Sequence, residues 1–252
     1  MVTVIFPAAG QGHRMQAGIN KVFLELMGKP ILVRTLLTFS QCSLVDGLVV
    51  VVAPEEVGFI KRILKMVTGL KPYKVVAGGS ERQYSIYNGL SYIDPKTDII
   101  LVHDAARPLV SQTVIKAVIN EAVASGAAIA AVPEKNTVKI VSQDHVVKKT
   151  PDRTSVWAVQ TPQGFRRDII IRAYQKAQED GFLGTDDASL VERMGIPVKV
   201  VESEYRNIKV TTPEDLIIAE AFLRDGKLSK VKDGVAVVSD VIINMKEHLF
   251  RH

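Results

Sequence analysis

Two short stretches carry side chains suited to phosphate chemistry. In "PAAGQGHRMQAGINK" (7–21), Arg14 and Lys21 bring cations to a loop of small residues that follows the apolar run "VTVIF" (2–6). Small residues let a backbone approach a ligand closely and fixed cations neutralise phosphate, a pairing suited to a nucleoside triphosphate. In "VHDAARP" (102–108), Asp104 stands just past another apolar run. A carboxylate there suits Mg²⁺, which takes one or two protein carboxylates and completes its shell with water and phosphate oxygens. A third stretch, "GGSERQYS" (78–85), offers backbone N–H groups and hydroxyls to a base or a ribose. Each stretch also has a plainer reading. Arg14 and Lys21 can be solvated residues of a strand-to-helix turn, Asp104 can cap a turn or pair with Arg107, and Ser80 can cap a helix.

Other chemistries fit less well. "GQGHRM" puts Met15 where a dinucleotide-binding loop has its third glycine, and the second strand ends "VVVVAP" without an acid for the ribose. There is no G-K-[ST] of a Walker loop and no G-x-S-x-G.

The elements that must position these residues are read from periodicity. Near-continuous apolar runs at 2–6, 47–53, 73–78, 98–104, 127–133 and 197–203 predict strands buried on both faces, as in a parallel sheet. Amphipathic patterns at 30–41, 54–67 and 111–126 predict helices between them, the last with a Ser cap and a terminal Gly. Alternation of this kind predicts an α/β fold, Rossmann-like and doubly wound, with a mostly parallel sheet. The insertion 134–153 breaks the rhythm. Its alternating halves Thr137–Val141 and Val146–Thr150 flank a polar "SQDH" and predict a β-hairpin arm that packs on something else. Beyond it come a long helix over 166–180, a polar loop over 183–195, a strand, and "NIKVTTPEDLIIAEAFL" (207–223), in which Lys209 is placed on a short strand before a capped helix. Asp225-Gly226 reads as a stop, which divides the chain into a domain over 1–224 and a tail over 225–252.

Composition sets the outer limits. The 252 residues are 47% hydrophobic and 23% charged, which suits a globular protein with a sizeable core. A formal charge of +5 suits anionic ligands, but the cations are scattered, and the aromatic residues form no stacking platform for nucleic acid. The single cysteine, Cys42, excludes an internal disulfide. No apolar run approaches the roughly 20 residues that span a bilayer. The expectation is a cytoplasmic protein with neither a membrane nor a nucleic-acid partner.

In order along the chain stand P-A-A-G-x-G-x-R-M with Lys21, G-G-x-E-R, H-D-A-A-R-P, x-T-V-K, D-R, W-x-x-Q-T-P-Q-x-F, T-D-D-A-S and N-I-K-V-T-x-P-E-D-L. This series, from residue 2 to about 223, resembles the 2-C-methyl-D-erythritol 4-phosphate cytidylyltransferase family, whose close relative is ribitol-5-phosphate cytidylyltransferase. The resemblance implies Mg²⁺-dependent transfer of CMP from CTP to a polyol phosphate with release of pyrophosphate. It also implies a homodimer in which the arm reaches the neighbouring subunit. Carried over by motif, Arg14 and Lys21 would embrace the triphosphate and Asp104 would hold Mg²⁺. Ala8, Ala9 and Gly10, with Gly79, Ser80 and Ser85, would line the cytosine and ribose. Arg153 and Lys209 would join Arg14 and Lys21 as catalytic cations. Together with Arg107, Thr137, Thr161 and Thr185 they would handle the phosphate and hydroxyls of the acceptor. Ser80 and Asn136 depart from the family, where Asp is common at both positions. The tail has no counterpart in it.

Overall fold

The computed structural model describes residues 1–10 and 21–228, with the backbone alone for Lys21 and 226–228. The predicted apolar runs form strands β1 (Val2–Pro7), β4 (Gly47–Val52), β5 (Tyr73–Ala77), β6 (Ile99–Val102), β7 (Ala127–Pro133) and β11 (Lys199–Glu202). With β10 (Trp157–Arg166) they make a seven-stranded sheet of order β11-β7-β10-β6-β1-β4-β5. All neighbours run parallel except β10, which is antiparallel to both β6 and β7. Two small hairpins stand apart: β2 (Glu25–Leu26) with β3 (Lys29–Pro30), and β8 (Ile140–Val141) with β9 (Val147–Lys149).

Side-chain alternation along the strands feeds a core on each face of the sheet. Val4 and Phe6 of β1 point to one core, with α1 (Ile31–Ser40), α2 (Val57–Lys65) and α4 (Gln112–Ser125). Ile5 points to the other, with α3 (Arg82–Leu90), α5 (Arg167–Glu179) and α6 (Asp187–Glu192). The central strands β1, β4, β6 and β7 are buried nearly throughout, which explains their unbroken apolar sequences. The outer strands β5 and β11 carry Lys74 and Lys199, and such edge charges deter pairing with a further strand. Helix α7 (Pro213–Leu228) packs beside β2 in a smaller cluster of Leu26, Ile31, Val210 and Ala219.

Several expectations need correction. The segment "WAVQTPQGFR" had no strand assigned, yet it is the longest strand of the sheet. Its Gln, Thr, Pro and Gly hide the apolar pattern, because buried Gln160, Thr161 and Gln163 are satisfied by hydrogen bonds rather than by apolar contact. The polar loop over 183–195 contains α6, started by Asp186, whose side chain accepts from Ser189 N at 2.9 Å. Lys209 lies on no strand, since 207–211 is a connection without regular structure whose Val210 N donates to Ala106 O at 2.8 Å. The cap residue of α3 is Glu81, not Ser80, and it makes no side-chain cap. Helix α7 continues through Asp225 and Gly226, because a single helical Gly costs only about 1 kcal/mol. In the arm, pairing starts at Ile140 rather than Thr137.

Candidate active site

The chain leaves β1 toward β4 and β5 on one side, then crosses back to β6 on the other, so the strand order reverses between β1 and β6. Open α/β sheets bind ligands outside the carboxyl ends of strands at such a point. An open cleft of about 630 Å³ lies there. One wall is the loop after β1 (Ala8, Ala9, Gly10), a second is Gly79 to Arg82 with Ser85, and the floor is Asp104 to Ala106 with Lys209.

The first two walls fit closely where glycines leave out a side chain. A Cβ on Gly78 would stand 2.7 Å from Ser85 Oγ and 2.8 Å from the Ala9 Cβ, and one on Gly79 would stand 2.6 Å from the Tyr84 Cβ. Ser85 Oγ accepts from Gly79 N at 3.1 Å and so ties the loop to α3.

The floor is organised by charge. Lys209 Nζ lies 2.9 Å from Asp104 Oδ2, Arg107 Nε 3.5 Å from the same oxygen, and Arg82 Nε 3.5 Å from Oδ1. Burial alone would raise the Asp104 carboxyl, but Lys209, Arg82 and Arg107 outweigh it and hold the group well below the usual carboxylate range. Asp104 N donates to Thr161 Oγ1 at 3.0 Å, so Thr161 supports the floor from beneath. His103, fully buried, spans Thr161 Oγ1 at 3.2 Å and Arg107 O at 3.0 Å. Burial pushes its pKa down to about 3, against smaller upward pulls from the Arg107 carbonyl and Asp104. Arg107 Nη1 donates to Asn207 O at 2.8 Å, and Asn207 Nδ2 donates to Gln160 Oε1 and Thr161 O. These bonds fasten the Lys209 segment to the Asp104 loop. One plain alternative for Asp104 holds, since its carboxylate pairs with Arg107; the turn bond from Arg107 N at 3.0 Å goes to the Asp104 carbonyl and not to its side chain.

The structure therefore gathers Ala8, Ala9, Gly10, Gly79, Ser80, Ser85, Asp104 and Lys209 around one cleft, with Arg107 and Thr161 immediately behind. Three other residues expected at the acceptor stand farther away. Thr137 is exposed in the arm, and Arg153 is exposed at the arm's base with Nη1 3.4 Å from Lys135 O. Thr185 is exposed in a loop whose Gly184 N donates to Gln83 Oε1 of α3. Arg14 lies outside the described residues, and Lys21 is described only as backbone, at the start of a single 3₁₀ turn. Sequence reasoning missed Arg82, although G-G-x-E-R contains it. It also missed Asp187, whose carboxylate takes both Nη atoms of Arg82 at 3.2 and 2.8 Å. A signal was available: of the consecutive acids Asp186 and Asp187, only one can cap α6, and the other, fully buried, needs a cation.

Comparison with known proteins gives the family. The family model described as 2-C-methyl-D-erythritol 4-phosphate cytidylyltransferase matches residues 2–225. The chain belongs to that family. It is 46% identical to the member from Caldanaerobacter subterraneus over 88% of this chain and 99% of that one. It is 50% identical to the member from Geobacillus thermodenitrificans over 86% and 94%. A crystal structure titled 4-diphosphocytidyl-2C-methyl-D-erythritol synthase, from Anaerococcus prevotii, superposes with a TM-score of 0.79 at 35% identity, covering 89% of this chain and 98% of that one. The family is one of nucleotidyltransferases, and these matches favour the methylerythritol phosphate enzyme over the ribitol phosphate relative.

Proposed function

We propose that the chain transfers CMP from CTP to 2-C-methyl-D-erythritol 4-phosphate. The observation that carries the chemistry is Asp104 set among Lys209, Arg107 and Arg82 at the reversal point of the sheet, in a chain of this family. An oxygen of the acceptor phosphomonoester attacks the α-phosphorus of CTP, and the bond to the bridging oxygen of pyrophosphate breaks. The attacking dianion has no proton to lose, so no general base is required. Two anions must meet, and catalysis is mostly positioning and charge neutralisation.

Backbone and small residues at Ala8 to Gly10, with Gly79, Ser80 and Ser85, hold the cytidine. Arg14 and Lys21 supply the cations that neutralise the triphosphate. Arg107, Thr161 and Lys209 serve the acceptor phosphate and hydroxyls from this chain, joined by Thr185. Thr137 and Arg153 serve the acceptor site of a second copy, reached by the arm. The exposed apolar side chains Ile140, Val141, Val146 and Val147 of the arm support such a dimer. The Asp104 carboxylate on the floor of the cleft is a hard oxygen donor that fits Mg²⁺ carried on the nucleotide, with phosphate oxygens and water completing the shell. Asp104 would hold it, and the ion would neutralise charge on the phosphates. None of the described helices is long and apolar enough to cross a membrane, and with CTP as substrate the cytoplasm is the fitting location.

Pyrophosphate release tests the reading. Turnover should need CTP and 2-C-methyl-D-erythritol 4-phosphate together and should fall by roughly 10⁴ with ATP, because a site built to bond one base leaves its groups unpaired with another. Equal rates with ATP, or preference for ribitol 5-phosphate, would overturn it.

A further inference from the structure

Arg82 differs from the other cations on the floor of the cleft. Lys209 meets Asp104 directly and is 38% exposed, whereas Arg82 is gripped from behind. Both of its Nη atoms engage Asp187, which is fully buried and does not line the cleft. The same Oδ1 of Asp187 accepts the Tyr174 hydroxyl at 2.5 Å. Tyr174, on α5, is itself buried and stacks on Tyr87 of α3, with ring centroids 6.3 Å apart. One carboxylate thus joins α3, α5 and α6.

The start of α6 is anchored in turn. Gln163 of β10 donates to Asp186 Oδ2 at 2.7 Å and accepts from Ala188 N at 3.0 Å, fixing the residues on either side of Asp187. Gln163 stands in register with Val102 of β6, two residues before Asp104. Both ends of the chain of contacts are therefore set by the same pair of strands. With its fork occupied, Arg82 keeps only its Nε edge for Asp104, at 3.5 Å. Burial pushes the Tyr174 phenol well above its ordinary value, so it remains a donor.

We propose that Tyr174 and Asp187 are positioning residues of the nucleotide site, holding the guanidinium of Arg82 edge-on so that it borders the cleft without closing its fork on Asp104. Released from Asp187, the fork turns to Asp104. It then competes with Lys209 and with any cation on the nucleotide, and it narrows the space beside Gly79 and Ser80. The inference rests on the reading of the cleft as a CTP site.

The test is a double-mutant cycle of Tyr174→Phe and Arg82→Ala, read by KM and kcat for CTP and by CTP affinity in titration calorimetry. Tyr174→Phe keeps the buried ring and removes only the hydroxyl, so the fold should survive. It should raise KM for CTP about tenfold, the worth of a hydrogen bond to a charged group, and leave kcat within about twofold. On the Arg82→Ala background the same change should do nothing, because the positioned group is gone. An unchanged KM in Tyr174→Phe, or an equal shift with and without Arg82, would overturn the proposal. Lost CTP affinity in Tyr174→Phe, with no pyrophosphate released by the unaltered chain, would uphold positioning and remove the activity. A chain that fails to bind CTP at all would overturn both.

Discussion

At the carboxyl edge of β1 and β6, polar side chains are buried and each has partners: Asp104 has three cations, and His103 bridges Thr161 and Arg107. Along the arm the pattern inverts. Ile140, Val141, Val146 and Val147 are each about half exposed, and the two strands pair only with each other. One region pairs its charges within the chain and the other leaves apolar groups in water, which is the contrast the proposed dimer rests on. The acceptor set is itself divided this way: Lys209 lines the cleft beside the residues assigned to the nucleotide wall, whereas Thr137 and Arg153 stand away from it.

Removing the carboxylate at the centre of the first region should have the largest effect. Asp104→Asn keeps the shape and leaves three cations facing one another, and the rate of pyrophosphate release should fall by roughly 10²–10³ while circular dichroism still reports a folded sheet. Near-normal activity would reduce Asp104 to a turn residue.

A mixing experiment sharpens the contrast between the two regions. Lys21→Ala and Arg153→Ala chains, each nearly inactive, are allowed to exchange subunits. If Arg153 serves the neighbour and Lys21 its own chain, one site of every mixed dimer carries both lesions and the other carries none. About a quarter of the unaltered activity should return, as two-fold symmetry requires when half the dimers are mixed. With exchange demonstrated by mass, no recovery would place Arg153 in its own chain's site.

The smallest effect concerns His103. An unfolded chain protonates this ring near its ordinary value of 6.5, the folded one only near 3. The unfolded state therefore binds the extra proton between those values, and stability should fall as pH drops from about 6.5, by up to about 1.4 kcal/mol per unit, with no loss above 7. Urea melts of the natural chain and of His103→Gln at pH 7 and pH 5 would show it. The gap between the two pH values should shrink in the variant.

Much of this was legible in sequence because burial on both faces writes itself as unbroken apolar runs. Strands such as Gly47–Val52 and Ala127–Pro133 could be read directly. The same logic concealed β10, where Gln160, Thr161 and Gln163 sit inside the sheet and are satisfied by partners 20 to 60 positions away in sequence. Local pattern carries no trace of such pairing. For the same reason the motif series pointed to Asp104 and Lys209 but not to the pairing of Arg82 with Asp187, which spans 105 positions. The Lys209 segment was misread as a strand because "NIKV" alternates, although its backbone bonds go to the Asp104 loop rather than to a ladder.

The antiparallel course of β10 has a consequence for the evolution of this chain. Because β7 ends and β10 begins at the same edge, Trp157 faces Pro133 in register, and Glu134 N closes on Val156 O at 2.9 Å. The sheet is thus complete beneath the arm, and everything between those two closures is a detachable cassette. Such a cassette can lengthen, shorten or change its contact surface without disturbing the strands below. In the proposed dimer, selection can therefore retune the contact between copies separately from the cleft, and an engineer can graft a different arm at Glu134 and Val156 while keeping the cleft.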